Sequence, residues 1–285
     1  MAVYKRSYRG YTGDLTPEWS RFLVITRHAW RSLFASRPMT GFFVACFFPF
    51  LITSIIIYLS HNATLLSVFK VRGKLIDIDA NFFGNFLHTQ VVFSFLLAAF
   101  AGPGLISPDL ANNGLVLYFC RPFSRTEYVL GKFAVLAVLL SAITWVPGLL
   151  LFGMEGSLSG FRWMWDNLYV AGAILTGSFL LIAVLSLLAL ALSAWVKWKP
   201  VAGALVLGVM FIGAGFGAAV NGVMRTEMGD LFSIPALLKT ACDALFRLPP
   251  RVEFPPVLAW LGLAAIGAAC LYLLSRKLRA YEVVR

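Results

Sequence analysis

Six long apolar stretches, separated by short charged segments, restrict this chain more than any other feature, because each has the length that a bilayer core demands of a helix. A hydrocarbon core of roughly 30 Å needs about 20 apolar residues at ~1.5 Å rise each. The stretches run from Met39 to Leu59, His88 to Ile106, Gly131 to Phe152, Leu168 to Val196, Pro200 to Val220 and Val257 to Ser275. The fourth is longer than a span requires and should tilt or project. With 60% hydrophobic and 13% charged residues, the chain carries more apolar surface than a soluble core hides; soluble domains average about 25% charged residues. The expected class is an all-α polytopic membrane protein. It forms one domain over residues 1–285, with a leader of 1–38, six spans over 39–275 and a tail of 276–285. The basic, aromatic leader is unlike a cleavable signal peptide, so the first span should stay in the membrane.

Lysine and arginine near span ends set orientation. With both termini on one side, that side holds 16 of the 24 basic residues against the acids Asp14, Glu18, Asp109, Glu127 and Glu282, which accounts for the formal +11. On the other side the charges balance. Both termini are therefore expected in the cytoplasm. Anionic lipid and topology explain the basic excess without nucleic acid. Cys46 and Cys270 lie in spans, Cys120 in an inner loop and Cys242 outside, so no outer pair stands ready for a disulfide.

The leader reads as an amphipathic interfacial helix. Thr16 can cap it, Pro17 suits its first position and Glu18 complements its positive end. Trp19, Phe22, Leu23, Thr26, Ala29, Trp30, Leu33 and Phe34 then share one side at helical spacing, opposite Arg21, His28, Arg31 and Ser32. It suits either a topological anchor or a docking surface for a cytosolic partner.

Between spans two and three, Ser107, Pro108 and Asp109 repeat the cap, proline and acid arrangement, predicting a short helix that starts there and ends near Gly114. Arg121 and Pro122 mark a turn. Ser124 with Glu127 forms a capping box that leads through Arg125 and Lys132 into span three. The loop reads as a rigid helix-turn-helix able to transmit a push, or as an ordinary basic loop.

The succession SPDLANNG, RPFSRTEY and GK entering a span resembles permeases of the type-2 ABC transporter family, and the leader from Tyr8 to Trp30 resembles the connecting-helix region of a bacterial branch of them. The resemblance covers essentially the whole chain. It implies a pair of permeases, identical or homologous, bound to two ATP-binding cassettes that carry ATP and Mg. Asp109, Gly114, Pro122, Ser124, Arg125 and Lys132 would belong to the segment that couples to the ATPase. Asp109 stands where such permeases often carry glutamate. The implied activity is export by alternating access.

The chain offers no phosphate loop of its own: the GK at Gly131 and Lys132 has Thr126 where the upstream glycine would stand. No cofactor, metal site or catalytic residue is expected in it. His28, His61 and His88 are scattered, with no ligand at metal-binding spacing. The spans read as almost free of charge, against an ion-coupled transporter. The alternatives are a membrane scaffold or assembly factor and a lipid-modifying enzyme; the latter needs a polar cluster at one boundary, which the sequence does not display.

Span five is rich in small residues. Gly208, Gly213 and Gly217 mark a close-packing face, either within the chain or at a dimer seam. Pro147 should kink span three near Trp145 and Gly148. Outside, the segment from His61 to Leu87 suits a short strand or helix. LFSIPALLKTACDALF, before the last span, reads as re-entrant or interfacial helices.

Overall fold

Lipid offers the backbone no hydrogen-bonding partner, so apolar stretches of this length satisfy their peptide groups within helices. The computed structural model describes residues 20–62, 77–112, 114, 124–249 and 254–279, and among them there is no strand. Helix α1 (Arg21–Phe34) precedes the first span, which is built from α2 (Arg37–Ala45) and α3 (Phe48–His61). Span two is α4 (Ala80–Ala101) and α5 (Pro103–Ala111); span three is α6 (Arg125–Ile143) and α7 (Trp145–Ser159). The short α8 (Phe161–Asp166) leads to α9 (Leu168–Trp195) and α10 (Lys199–Met224), spans four and five. A 3₁₀ turn (Met228–Phe232) and α11 (Ile234–Leu245) precede the last span, α12 (Pro256–Arg279). Among the described residues, six helical segments are long and apolar enough to cross a membrane.

Spans two, three and four form the centre. In their most apolar windows 67%, 56% and 67% of residues are buried, against 17% in the first and 22% in each of the last two. The outer three therefore present broad apolar faces suited to lipid. Helix α9 is the hub, packing against α4 to α7 and α10 to α12.

Three spans are broken, each just before a proline. The breaks fall at Cys46 and Phe47 ahead of Pro49, at Gly102 ahead of Pro103, and at Thr144 ahead of Pro147. A proline near a helix start removes one amide donor and frees the carbonyl four residues earlier. The sequence predicts the third of these kinks. At the first, the buried Gln90 side chain donates to the Cys46 carbonyl at 3.4 Å, tying span two to span one.

Two expectations need correction. Span two starts at Ala80, two turns before His88, because Asp79 caps it by accepting from the Phe82 amide at 3.1 Å and because Phe83, Phe86 and Leu87 are buried in an apolar cluster. The helix predicted to begin at Ser107 begins instead at Pro103, with Pro108 inside it. The leader start at Thr16, Pro17, Glu18 and Trp19, together with Cys120, Arg121, Pro122 and residues 63–76, lies outside the described residues.

The segment before the last span does contain a helix. At 12 residues, α11 is about 18 Å long and too short to cross a bilayer. It buries Leu237, Leu238, Ala241 and Cys242, packed against α4, α9, α10 and α12. Burial, then the neighbouring Asp243 carboxylate, push the Cys242 thiol up to about 12.

The glycine face of α10 packs within the chain. A side-chain carbon at Gly213 would lie 2.6 Å from the Phe232 carbonyl oxygen, and one at Gly217 would lie 2.5 Å from that of Gly229. At Gly208 it would meet only an Ile212 methyl, at 3.7 Å. Alanine at Gly208 should therefore raise the melting temperature slightly, by the helix-propensity gain of up to about 1 kcal/mol. Alanine at Gly217 should lower it, because displacing a backbone carbonyl costs about 1–3 kcal/mol. Thermal unfolding of the two detergent-solubilised variants checks the opposite signs.

Candidate functional site

The end of the bundle at which α1 lies gathers the polar residues singled out between spans two and three. At its centre Asp109, near the end of α5, faces two groups on the first turns of α6. Lys132 Nζ lies 2.9 Å from Asp109 Oδ2, and the Tyr128 hydroxyl donates to the same oxygen at 2.7 Å. Tyr128 is fully buried and Lys132 is 6% exposed; the ammonium also lies 5.4 Å from the Tyr128 ring centroid. A charge removed from water this far needs a partner, and Asp109 supplies it. Spans two and three are thereby clamped together beside the connection between them.

Local sequence explains each arm. Ser124 accepts from the Glu127 amide at 3.2 Å, while the Glu127 carboxylate accepts from the Ser124 amide at 2.6 Å, the reciprocal box that starts α6. Four residues separate Tyr128 from Lys132, so both project from one face of α6. Ser107 does not cap a helix. Its hydroxyl donates to the Ser193 carbonyl at 3.0 Å, and its amide donates to the Ser193 hydroxyl at 3.1 Å, joining α5 to the end of span four. A side-chain carbon at Gly114 would lie 3.4 Å from the Asp109 carbonyl oxygen, so the chain passes close to the clamp.

Helix α1 docks on the same turns of α6. The Thr26 hydroxyl donates to the Gly131 carbonyl at 2.9 Å, and a side-chain carbon at Gly131 would lie 3.0 Å from the Phe22 carbonyl oxygen. Trp30, Leu33 and Phe34 pack against the core, with Phe34 edge-on to Phe43 at 5.4 Å. Leu23 is 46% exposed; it sits at the edge of the apolar side, while Ile25, omitted from the expected set, meets Gly131. Leader, span two and span three thus meet around Gly131 and Lys132. Sequence reasoning missed Tyr128: its spacing from Lys132 was legible, but its partner Asp109 lies across the loop.

At the opposite end, two of the scattered histidines meet carboxylates that the sequence places in the outer segments. Glu155, 2% exposed in α7, accepts from the Ser159 hydroxyl at 2.5 Å, and His61 Nε2 lies 3.0 Å from that hydroxyl and 3.5 Å from Glu155 Oε1. His88 Nε2 lies 3.3 Å from Asp243 Oδ1, joining span two to α11. No group of three or more His, Cys, Asp or Glu suited to a metal occurs among the described residues. No protein-family model and no curated protein sequence matches the chain.

Proposed function

We propose that this chain is the membrane-spanning permease of an ATP-driven exporter of the type-2 ABC kind, acting as a pair of permeases with two separate ATP-binding cassettes in a bacterial inner membrane. The observation that supports this reading best is the Asp109–Lys132–Tyr128 clamp with α1 docked on it. A soluble subunit pressing on the connection between spans two and three would move both spans and the leader together, because a buried, hydrogen-bonded ion pair resists separation. The breaks at Gly102 and Thr144 lie in those same two spans and provide bending points. ATP and Mg belong to the cassette, and this chain hydrolyses nothing. The resemblance to type-2 permeases supplies the direction of transport, and the basic excess at the leader end supports a cytoplasmic position for it.

Purification of the chain from its native membrane, followed by mass spectrometry, tests the reading. Wild type should bring down an ATP-binding cassette, Arg125→Glu should recover less of it, and Thr126→Cys, at an exposed position on the first turn of α6, should cross-link to it. Absence of a cassette under conditions that preserve other membrane complexes would overturn the proposal in favour of a scaffold or assembly factor.

A further inference from the structure

Two adjoining hollows lie at the leader end. One, of about 590 Å³, opens to the surface and is lined by α1, α2, α5 and α6 with Lys199 at the start of α10; its polar groups include the exposed His28 and Lys199 with Lys132 and Asp109. The other, of about 440 Å³, is an apolar groove between α4 and α10 that reaches Leu207. Phe100 and Lys199 line both.

The charge in the first hollow is unbalanced. Asp109 is engaged by Lys132 and Tyr128, whereas Lys199 and His28 make no ion pair or hydrogen bond among the described residues. The Lys199 ammonium lies over Gly104, where an added side-chain carbon would come within 3.6 Å of Nζ and 3.8 Å of a Leu33 methyl. Any larger residue at position 104 would crowd this space. Helix α10 begins at Lys199 itself, with no side-chain cap and no acid in its first turn. Its positive end adds to the attraction for an anion. Below Lys199 the groove continues along apolar walls. Its floor is a close approach at Gly203, where a side-chain carbon would lie 2.8 Å from the Ala99 carbonyl oxygen, the acceptor that Pro103 leaves without its usual amide.

We infer that the two hollows seat one anionic phospholipid, its phosphate between Lys199 and His28 and an acyl chain in the groove between α4 and α10. A soluble anion would use the first hollow and leave the apolar groove unfilled. A zwitterionic headgroup would bring a cation to a place whose one carboxylate is already engaged. The excess positive charge at the mouth and the apolar continuation beneath it are complementary to an anionic lipid. The seat does not depend on what the spans carry.

Native mass spectrometry of the chain released from nanodiscs of equal phosphatidylglycerol and phosphatidylcholine tests this. Wild type should retain one phosphatidylglycerol. Retention should fall about tenfold in Lys199→Glu, the scale of one lost ionic contact, and also in Ala204→Trp, which fills the groove without changing charge. Lys197→Glu, an exposed charge reversal outside both hollows, should retain lipid as wild type does. Equal losses in Lys197→Glu and Lys199→Glu would mean diffuse attraction to a basic surface and overturn the site. Unchanged retention in Ala204→Trp, or complete displacement by inorganic phosphate, would reduce it to an anion site and overturn the lipid assignment.

Discussion

Asp109→Ala should lower the melting temperature of the solubilised chain by several degrees, and joining it to Lys132→Met and Tyr128→Phe should restore most of the loss. The carboxylate receives both the Lys132 ammonium, at 2.9 Å, and the Tyr128 hydroxyl, at 2.7 Å. Removing it leaves the buried Lys132 ammonium without its carboxylate and takes one acceptor from the Tyr128 hydroxyl between α5 and α6. Removing one member of a buried ion pair costs about 3–5 kcal/mol, because the remaining charge is uncompensated. The Asp109 side chain is 21% exposed and water moderates the loss, so the lower end of that range applies. The triple variant removes the charge and both donors together, and replacing a whole polar cluster by apolar groups of similar volume is often neutral. Thermal unfolding followed by tryptophan fluorescence checks both halves. An Asp109→Ala variant as stable as wild type would mean that the clamp is slack, and a triple variant as weak as the single one would mean that its polarity has another structural use. The comparison also separates fold from function. On the transport reading, the triple variant is stable yet transmits the cassette's push poorly.

What the sequence displayed and what it concealed follow from the range of each interaction. Spans were legible because lipid requires a continuous apolar run, and the start of α6 was legible because a capping box is complete within four residues, Ser124 to Glu127. The break at Thr144 was legible from Pro147. Ser107 misled for the same reason that Ser124 did not: Ser-Pro-Asp is a valid local start, but α5 was already under way from Pro103, and the Ser107 hydroxyl was committed to Ser193 on span four. No local pattern contains that partner. The same limit hid His61 with Ser159 and Glu155, and His88 with Asp243, since each pairing joins helices far apart in the chain. The small-residue face of α10 was visible, but whether it met another copy or its own 3₁₀ turn was not, because close packing asks only for small residues and does not specify the partner.

The His88–Asp243 pair makes the second large prediction, and here magnitude decides what the contact is. If it behaves as an ordinary hydrogen bond between membrane helices, losing it costs about 0.6 kcal/mol. If it behaves as a buried charge pair, losing one member costs about 3–5 kcal/mol. Asp243 is 4% exposed and follows Cys242, which belongs to an apolar cluster with Phe83, Phe86, Leu87 and Phe246, so water does not mask the loss and its size tells the two cases apart. The two single variants should also differ. Alanine at position 88 removes the imidazole and takes a polar neighbour from the buried Asp243 side chain, whereas asparagine at position 243 keeps a polar amide facing His88. His88→Ala should therefore destabilise more than Asp243→Asn, and the double variant should recover much of the difference. Because the pair joins span two to α11, the damage should be local: amide exchange in Ile234–Leu245 should accelerate, while that in Arg125–Ile143 should stay as in wild type. Equal, small shifts in both single variants would make the contact an incidental approach. Faster exchange in both segments would mean that the bundle opens as one unit, with α11 no more separable than the central spans.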